Sequence, residues 1–266
     1  MPSYDRLVVM LQIEERLIRE KRLQDERFAA ADGSRGGTGG AYAIVGASHG
    51  YYKSRIENDA PERRVLELGC GLGENVLDFA RRGGRVTGID LSDVAVANAR
   101  ARAAEVGADA TFEAMDAEAT TFPDQSFDIV CGGAILHHLD TERAYREIAR
   151  LLAPGGYGLF LEPLGYNPFI NLYRRLTPAL RTPDEHPFVE RDLDLARTYF
   201  STVRVTYYYL TTLLTLPIAR TPLGKRAIAF ANAVDRVLFR FVPPLRRQAW
   251  FIVLELRDPL PREDRA

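Results

Sequence analysis

A chain of 266 residues with 46% apolar and 27% charged residues is large enough to bury a core without a metal or a disulfide. Its formal net charge of −1 offers no global attraction to phosphate, which argues against a dedicated nucleic-acid binder. The two cysteines, Cys70 and Cys131, stand at neither zinc nor disulfide-framework spacing, so a reducing, cytoplasmic setting is expected.

Tyr4-Asp5-Arg6-Leu7 lacks the basic-then-apolar pattern of a signal peptide. The most apolar stretch, Tyr207 to Ala219, is broken by threonines and Pro217 and falls short of the roughly 18 residues of a spanning helix. The protein is therefore expected to be soluble or at most peripheral. From Tyr4 to Ala31 an amphipathic helix is expected, with Leu7, Met10, Leu11, Ile13, Leu17 and Ile18 approximating one face. Gly33, Gly36, Gly37, Gly39 and Gly40 then break it, so residues 1–60 read as a helical cap that is either a mobile lid or packed on the core.

Residues 61–163 carry the regular part of the pattern. A strand at Val65–Leu68 runs into Gly69-Cys70-Gly71-Leu72-Gly73, followed by a helix from Glu74 to Arg82 and a strand at Arg85–Asp90. Ser92 is placed to cap a helix through Val106, and a strand near Ala110–Ala114 ends at Asp116. Phe127–Gly132 is a buried strand, Thr141–Leu152 a helix stopped by Pro154-Gly155-Gly156, and Tyr157–Glu162 another strand. Strands alternating with helices predict a mostly parallel α/β sheet covered on both faces. Residues 164–266 belong to the same domain: a long polar and aromatic segment from Pro163 to Val189, a strand at Ser201–Leu210, a helix at Lys225–Phe241 and a last strand at Trp250–Leu256.

The glycine loop distinguishes between ligands. A nicotinamide-binding loop has Gly-x-Gly-x-x-Gly, with the last glycine at the helix start. Here Glu74 stands in that place, and a carboxylate at a helix N-terminus repels a pyrophosphate. Glu67, just before the loop, is suited to a cationic amino group. Asp90, ending the second strand, can accept both hydroxyls of a ribose, and Asp116, ending the third, can accept from an adenine amine. Three acidic residues at three successive strand ends match the amino, ribose and adenine parts of S-adenosylmethionine.

The runs VLELGCGLGENVLDFA, GIDLS, MDAEATTFPDQSFDIV, GAILHHLD and LLAPGGYGLFLEP together resemble the class I S-adenosylmethionine-dependent methyltransferases of the broad type-11 family, over about Val65 to Pro163. The resemblance implies a Rossmann-like, seven-stranded, mostly parallel sheet whose last strand is antiparallel. It implies that Glu67, Gly69, Cys70, Gly71 and Gly73 surround the methionine portion, Asp90 and Leu91 the ribose, and Asp116 and Ala117 the adenine. The segment between the last two strands is longer than the family's short hairpin, an insertion after strand 6 beside the one after strand 5.

Methyl transfer needs alignment of donor and acceptor, and a base only where the nucleophile must lose a proton. Candidate bases are His137 and His138 after the fourth strand, Glu162 at the end of the fifth, and His186. Zinc on His137, His138, Glu162 and His186 would need two adjacent histidines to ligate together at a strand end, so no metal is expected. The expected function is methylation of a small or lipid-like acceptor at oxygen or carbon. The alternatives are a non-catalytic S-adenosylmethionine-binding partner protein and a nicotinamide-dependent oxidoreductase. Nucleic-acid methylation is not supported, because Gly133-Ala134-Ile135-Leu136 stands where an Asn-Pro-Pro-Tyr-like motif would be.

Near the C-terminus, Tyr207, Tyr208, Tyr209, Leu213, Leu214, Phe230, Val234, Leu238 and Phe241 are interspersed with Lys225, Arg226, Arg236, Arg240, Arg246 and Arg247. Core packing or a homodimer contact accounts for this pattern, and peripheral contact with an anionic membrane is the alternative reading.

Overall fold

The computed structural model describes residues 4–29, 41–178 and 185–261. The glycines from Gly33 to Gly40, expected as a lid hinge, lie outside the described residues, as do Thr182-Pro183-Asp184.

Seven strands form one sheet: β1 (Arg64–Leu68), β2 (Arg85–Asp90), β3 (Ala110–Ala114), β4 (Phe127–Gly133), β5 (Leu152–Pro163), β6 (Phe200–Tyr208) and β7 (Phe251–Pro259). Their order is β3-β2-β1-β4-β5-β7-β6. The pairs from β3 through β5 are parallel, and β7 is antiparallel to both of its neighbours. The expected Rossmann-like sheet with an antiparallel last strand is thus present. The chain reverses its direction of travel between β1 and β4, which opens a crevice at the carboxyl ends of those two strands.

Alternation along β1 assigns residues to the two faces. Leu66 and Leu68 join Val130, Tyr145, Ile148 and Tyr199 in one cluster; Val65 joins Ile129, Cys131, Ile56, Phe79 and Val96 in the other. The helices covering these faces are α2 (Gly46–Asp59), α3 (Glu74–Arg81), α4 (Asp93–Val106), α5 (Thr141–Leu151) and α7 (Glu190–Tyr199). Ser92 caps α4 as expected, its side chain accepting from Ala95 N, and Gly107 ends the helix in a left-handed conformation. In α5, Ala144, Tyr145, Ile148 and Leu151 recur at helical spacing and are buried, each large side chain contributing about 1.5–3 kcal/mol of transfer free energy. Cys70 and Cys131 are buried free thiols.

Some boundaries differ from expectation. Pro154-Gly155-Gly156 does not stop α5; the helix ends at Leu151 because Leu152 is already extended and paired with Phe127. The Pro-Gly-Gly run lies inside β5, where the register shifts between Phe127 and Ile129. Helix α2 was not expected, although its buried Ser48, Tyr52 and Ile56 recur every fourth residue. After β5, α6 (Pro168–Leu176) occupies part of what the sequence suggests as a long loop, capped by Asn167 with Pro168 at its first turn, and α7 begins directly after that segment. After β6 the chain makes a 3-10 helix at Thr211–Ile218, α8 (Gly224–Phe241) and a second 3-10 turn at Pro243–Gln248. Helix α8 is pinned to the end of β6 by Asp235, whose carboxylate accepts from Leu210 N at 2.9 Å, Thr211 N at 2.7 Å and the hydroxyls of Thr211 and Thr212. The first helix, α1 (Tyr4–Ala29), lies over α4 and the crevice. Among the described residues no helix is long and apolar enough to cross a membrane.

Candidate active site

The crevice holds a cavity of about 490 Å³, lined by the ends of β1, β2 and β4, the segment after β3, and one side of α1. Glu67, Gly69, Cys70, Gly71, Asp90, Leu91, Asp116 and Ala117 all line it. Gly73 does not. It holds the N-cap of α3 at φ +75°, and a Cβ there would come within 2.6 Å of the Phe112 ring and 3.1 Å of Ala99. Its glycine is required by helix packing and backbone conformation rather than by ligand contact.

Each of the three acidic residues has a distinct environment. Glu67 Oε1 accepts from Asn75 Nδ2 at 2.7 Å, while the buried Oε2 has no partner among the described residues. Burial pushes this carboxyl up to about 8, and the Asn75 hydrogen bond only partly opposes it. Asp90 accepts from Gly71 N at 2.9 Å through Oδ2 and from Ser92 N at 3.0 Å through Oδ1. Those bonds fix the carboxylate and leave each oxygen a further lone pair for vicinal hydroxyls. Burial raises the Asp90 carboxyl, the two backbone donors acting against it. Asp116 Oδ1 accepts from Glu118 N at 2.9 Å, turning the chain at the end of the β3 segment. An unpartnered buried carboxylate oxygen and a fixed carboxylate beside it together fit a ligand carrying an ammonium and a diol.

Helix α1 supplies a wall that the sequence reading did not assign to the site: Arg16, Glu20, Gln24, Arg27 and Phe28 line the cavity. Arg16, Glu20, Gln24 and Arg27, spaced by four, four and three residues, are a polar stripe on a helix, a signal present in the sequence. The helix is tied to the floor of the site. Lys21 Nζ donates to Leu91 O at 3.1 Å, Ser92 Oγ bonds Asp25, and Arg16 pairs with the buried Glu118.

The candidate bases separate. His138 lines the cavity, and its Nδ1 lies 3.5 Å from Glu20 Oε1. His137 and Glu162 do not line it. Glu162 is fully buried; it accepts from Ile135 N at 3.0 Å and Leu136 N at 2.8 Å and lies 2.7 Å from His137 Nδ1. Burial pushes its carboxyl up to about 8 against those backbone donors. It is better described as the group that holds the turn after β4 than as a base. His186 is exposed and away from the cavity lining, and its backbone N–H donates to His137 O at 3.0 Å. The four residues weighed for zinc are therefore not assembled. The donor atoms of His137, His138 and Glu185 do lie within 4.8 Å of one another.

Residues 65–156 match the family model described as a methyltransferase domain. Over that stretch the chain is similar to methyltransferase domains. The chain is 37% identical over 108 residues to a ubiquinone biosynthesis O-methyltransferase of Aeromonas salmonicida, covering 40% of this chain and 45% of that protein. It is 42% identical over 97 residues to a 27-O-demethylrifamycin SV methyltransferase of Amycolatopsis mediterranei, covering 35% and 36%. The match thus spans less than half of these curated relatives. Among solved structures, a phosphoethanolamine N-methyltransferase 2 of Haemonchus contortus, in complex with phosphomonomethylethanolamine and S-adenosylhomocysteine, superposes with a TM-score of 0.60 at 17% identity, over 89% of this chain and 60% of that one. At that identity the likeness speaks for the methyltransferase fold alone. The matched stretch includes β1 to the start of β5 and excludes α1, α6, α7 and α8.

Proposed function

We propose that this chain is an S-adenosylmethionine-dependent methyltransferase acting on a hydroxyl oxygen of a small, lipid-like acceptor. The observation that carries the donor assignment is the cavity itself, where the unpartnered Oε2 of Glu67, the fixed carboxylate of Asp90 and Asp116 stand at successive strand ends. Glu67 would hold the donor's ammonium, Asp90 its ribose diol and Asp116 its adenine amine. The choice of oxygen draws support from His138 on the cavity wall and from the two relatives named for O-methylation.

S-adenosylmethionine supplies a methyl carbon bound to a positively charged sulfur. With the donor bound, the acceptor oxygen would take that methyl carbon and the carbon–sulfur electron pair would leave on sulfur. His138 takes the hydroxyl proton at a ring nitrogen, and Glu20, 3.5 Å away, offsets the imidazolium charge. Helix α1 forms one wall beside the reacting atoms.

The test is incubation with methyl-labelled S-adenosylmethionine, a cell extract and a panel of hydrophobic phenols and alcohols, followed by solvent partition. Label is expected in the organic phase with the intact chain and absent with Asp90→Ala. Label in protein or RNA would overturn the acceptor class. Donor binding without transfer to any fraction would turn the reading to a binding protein.

A further inference from the structure

The outward face of α8 combines two features that its inward face does not need. Phe230, Val237 and Phe241, seven and four residues apart, share one stripe of the helix and are 72%, 56% and 71% exposed. Lys225, Arg226, Arg236 and Arg240 follow along one flank of that stripe, all exposed. The inward face is complete without them, formed by Ala231, Asp235 and Phe239. The 3-10 helix packed beside α8 adds exposed Leu214 and Ile218, and Leu223 is exposed where the helix begins.

Charge selects among occupants of this face. Between Tyr209 and Trp250 lie seven of the chain's 35 cationic residues and one of its 36 acidic ones. That one, Asp235, is buried and fully engaged by backbone and hydroxyl donors from residues 210–212. In a chain of net charge −1, the cations of this segment meet no exposed acidic group of their own segment, and Arg247 pairs with Glu190 outside it at 3.2 Å. A two-fold contact with a second copy would bring two such cation-rich segments together with no exposed acidic group of either segment to offset them. An aromatic and aliphatic stripe flanked by long cationic side chains suits the interface of an anionic bilayer, where the rings enter the acyl boundary and the guanidinium groups reach phosphate.

We propose that the outward face of α8, with the adjoining 3-10 helix, docks on an anionic lipid surface. The docking does not depend on which acceptor is methylated. It is tested by flotation of the full chain with vesicles of phosphatidylcholine containing about one quarter phosphatidylglycerol, and with vesicles of phosphatidylcholine alone. The chain is expected to float with the anionic vesicles and to be released by high salt. Arg236→Glu/Arg240→Glu and Phe230→Ser/Phe241→Ser should each cut partitioning at least ten-fold, at roughly five-fold per cation removed. Donor affinity and melting temperature should stay unchanged. Salt release of the unmutated chain is a readout that needs no variant. Equal flotation on both vesicles, or none on either, would overturn the proposal. So would a dimer in solution that Phe230→Ser/Phe241→Ser converts to monomer without any lipid effect.

Discussion

Glu67 sits at the centre of the donor site and is also its least comfortable residue. Burial pushes its carboxyl from the ordinary 4.5 up to about 8, so the neutral form favours the fold at low pH. That contribution fades as pH rises from about 4.5 through 8. A bound ammonium reverses the preference by favouring the carboxylate. Donor affinity should therefore rise between about pH 6.5 and 8.5, by at most on the order of tenfold per pH unit, with a proton released on binding. Calorimetry in buffers of different ionisation enthalpy measures that proton, and Glu67→Gln should abolish both the release and the pH dependence. A pH-independent affinity in the unmutated chain would remove Glu67 from the ammonium site.

The two histidines should respond differently because only one borders the cavity. His138→Ala is expected to lower kcat by about 10²–10⁴-fold with donor affinity kept, and to remove the acid limb of the pH–rate profile. His137→Ala would leave Glu162 without its side-chain partner and should act first on stability, by about 1–3 kcal/mol in denaturant unfolding. Equal loss of kcat in both variants at unchanged stability would contradict this division. The sequence places His137 and His138 side by side at a strand end; which of them borders the cavity depends on the turn that Glu162 holds from the neighbouring strand.

Among the elements, the turn into α3 is where sequence and packing meet most tightly. Gly73 lies at φ +75° with Phe112 of β3 where a Cβ would stand. Gly73→Ala should destabilise the fold by about 2–5 kcal/mol, adding left-handed strain to overpacking, as read by thermal or urea unfolding. If the loss is under 1 kcal/mol, the ring moves aside and the glycine has a ligand-facing role after all. The helices differ in how visible they are. Ser92 and Gly107 mark α4 in the sequence because capping is chemistry local to a few residues. The end of α5 is not legible there, because Leu152 leaves the helix to pair with Phe127, 25 positions earlier in the chain. Helix α1 is legible as a helix, yet its part in the donor site is not, since that depends on contacts of Lys21 and Asp25 with residues about 70 positions away.

At the scale of the whole molecule, one continuous seven-stranded sheet with a core on each face points to a single cooperative unit that includes residues 164–261. Thermal unfolding should show one transition. S-adenosylhomocysteine at about 100 times its Kd should add about 2.7 kcal/mol, a rise in Tm of about 5–11 °C. Two transitions, only one of them ligand-sensitive, would divide the C-terminal part from the core.

The sequence by itself determined the parallel α/β core, the glycine loop and the three acidic strand ends, because strand periodicity, capping residues and the Gly-x-Gly-x-Gly spacing are read within a few residues of one another. It also contained the cations and aromatics of α8. Only the tertiary structure decided that Glu67 keeps one oxygen unpartnered, that Glu162 is spent on backbone donors, that α1 walls the cavity, and that Phe230, Val237 and Phe241 face outward. Burial and partnership are set by residues far apart in the chain, and in the isolated sequence the same glutamate or phenylalanine fits a core, a site or a surface equally well.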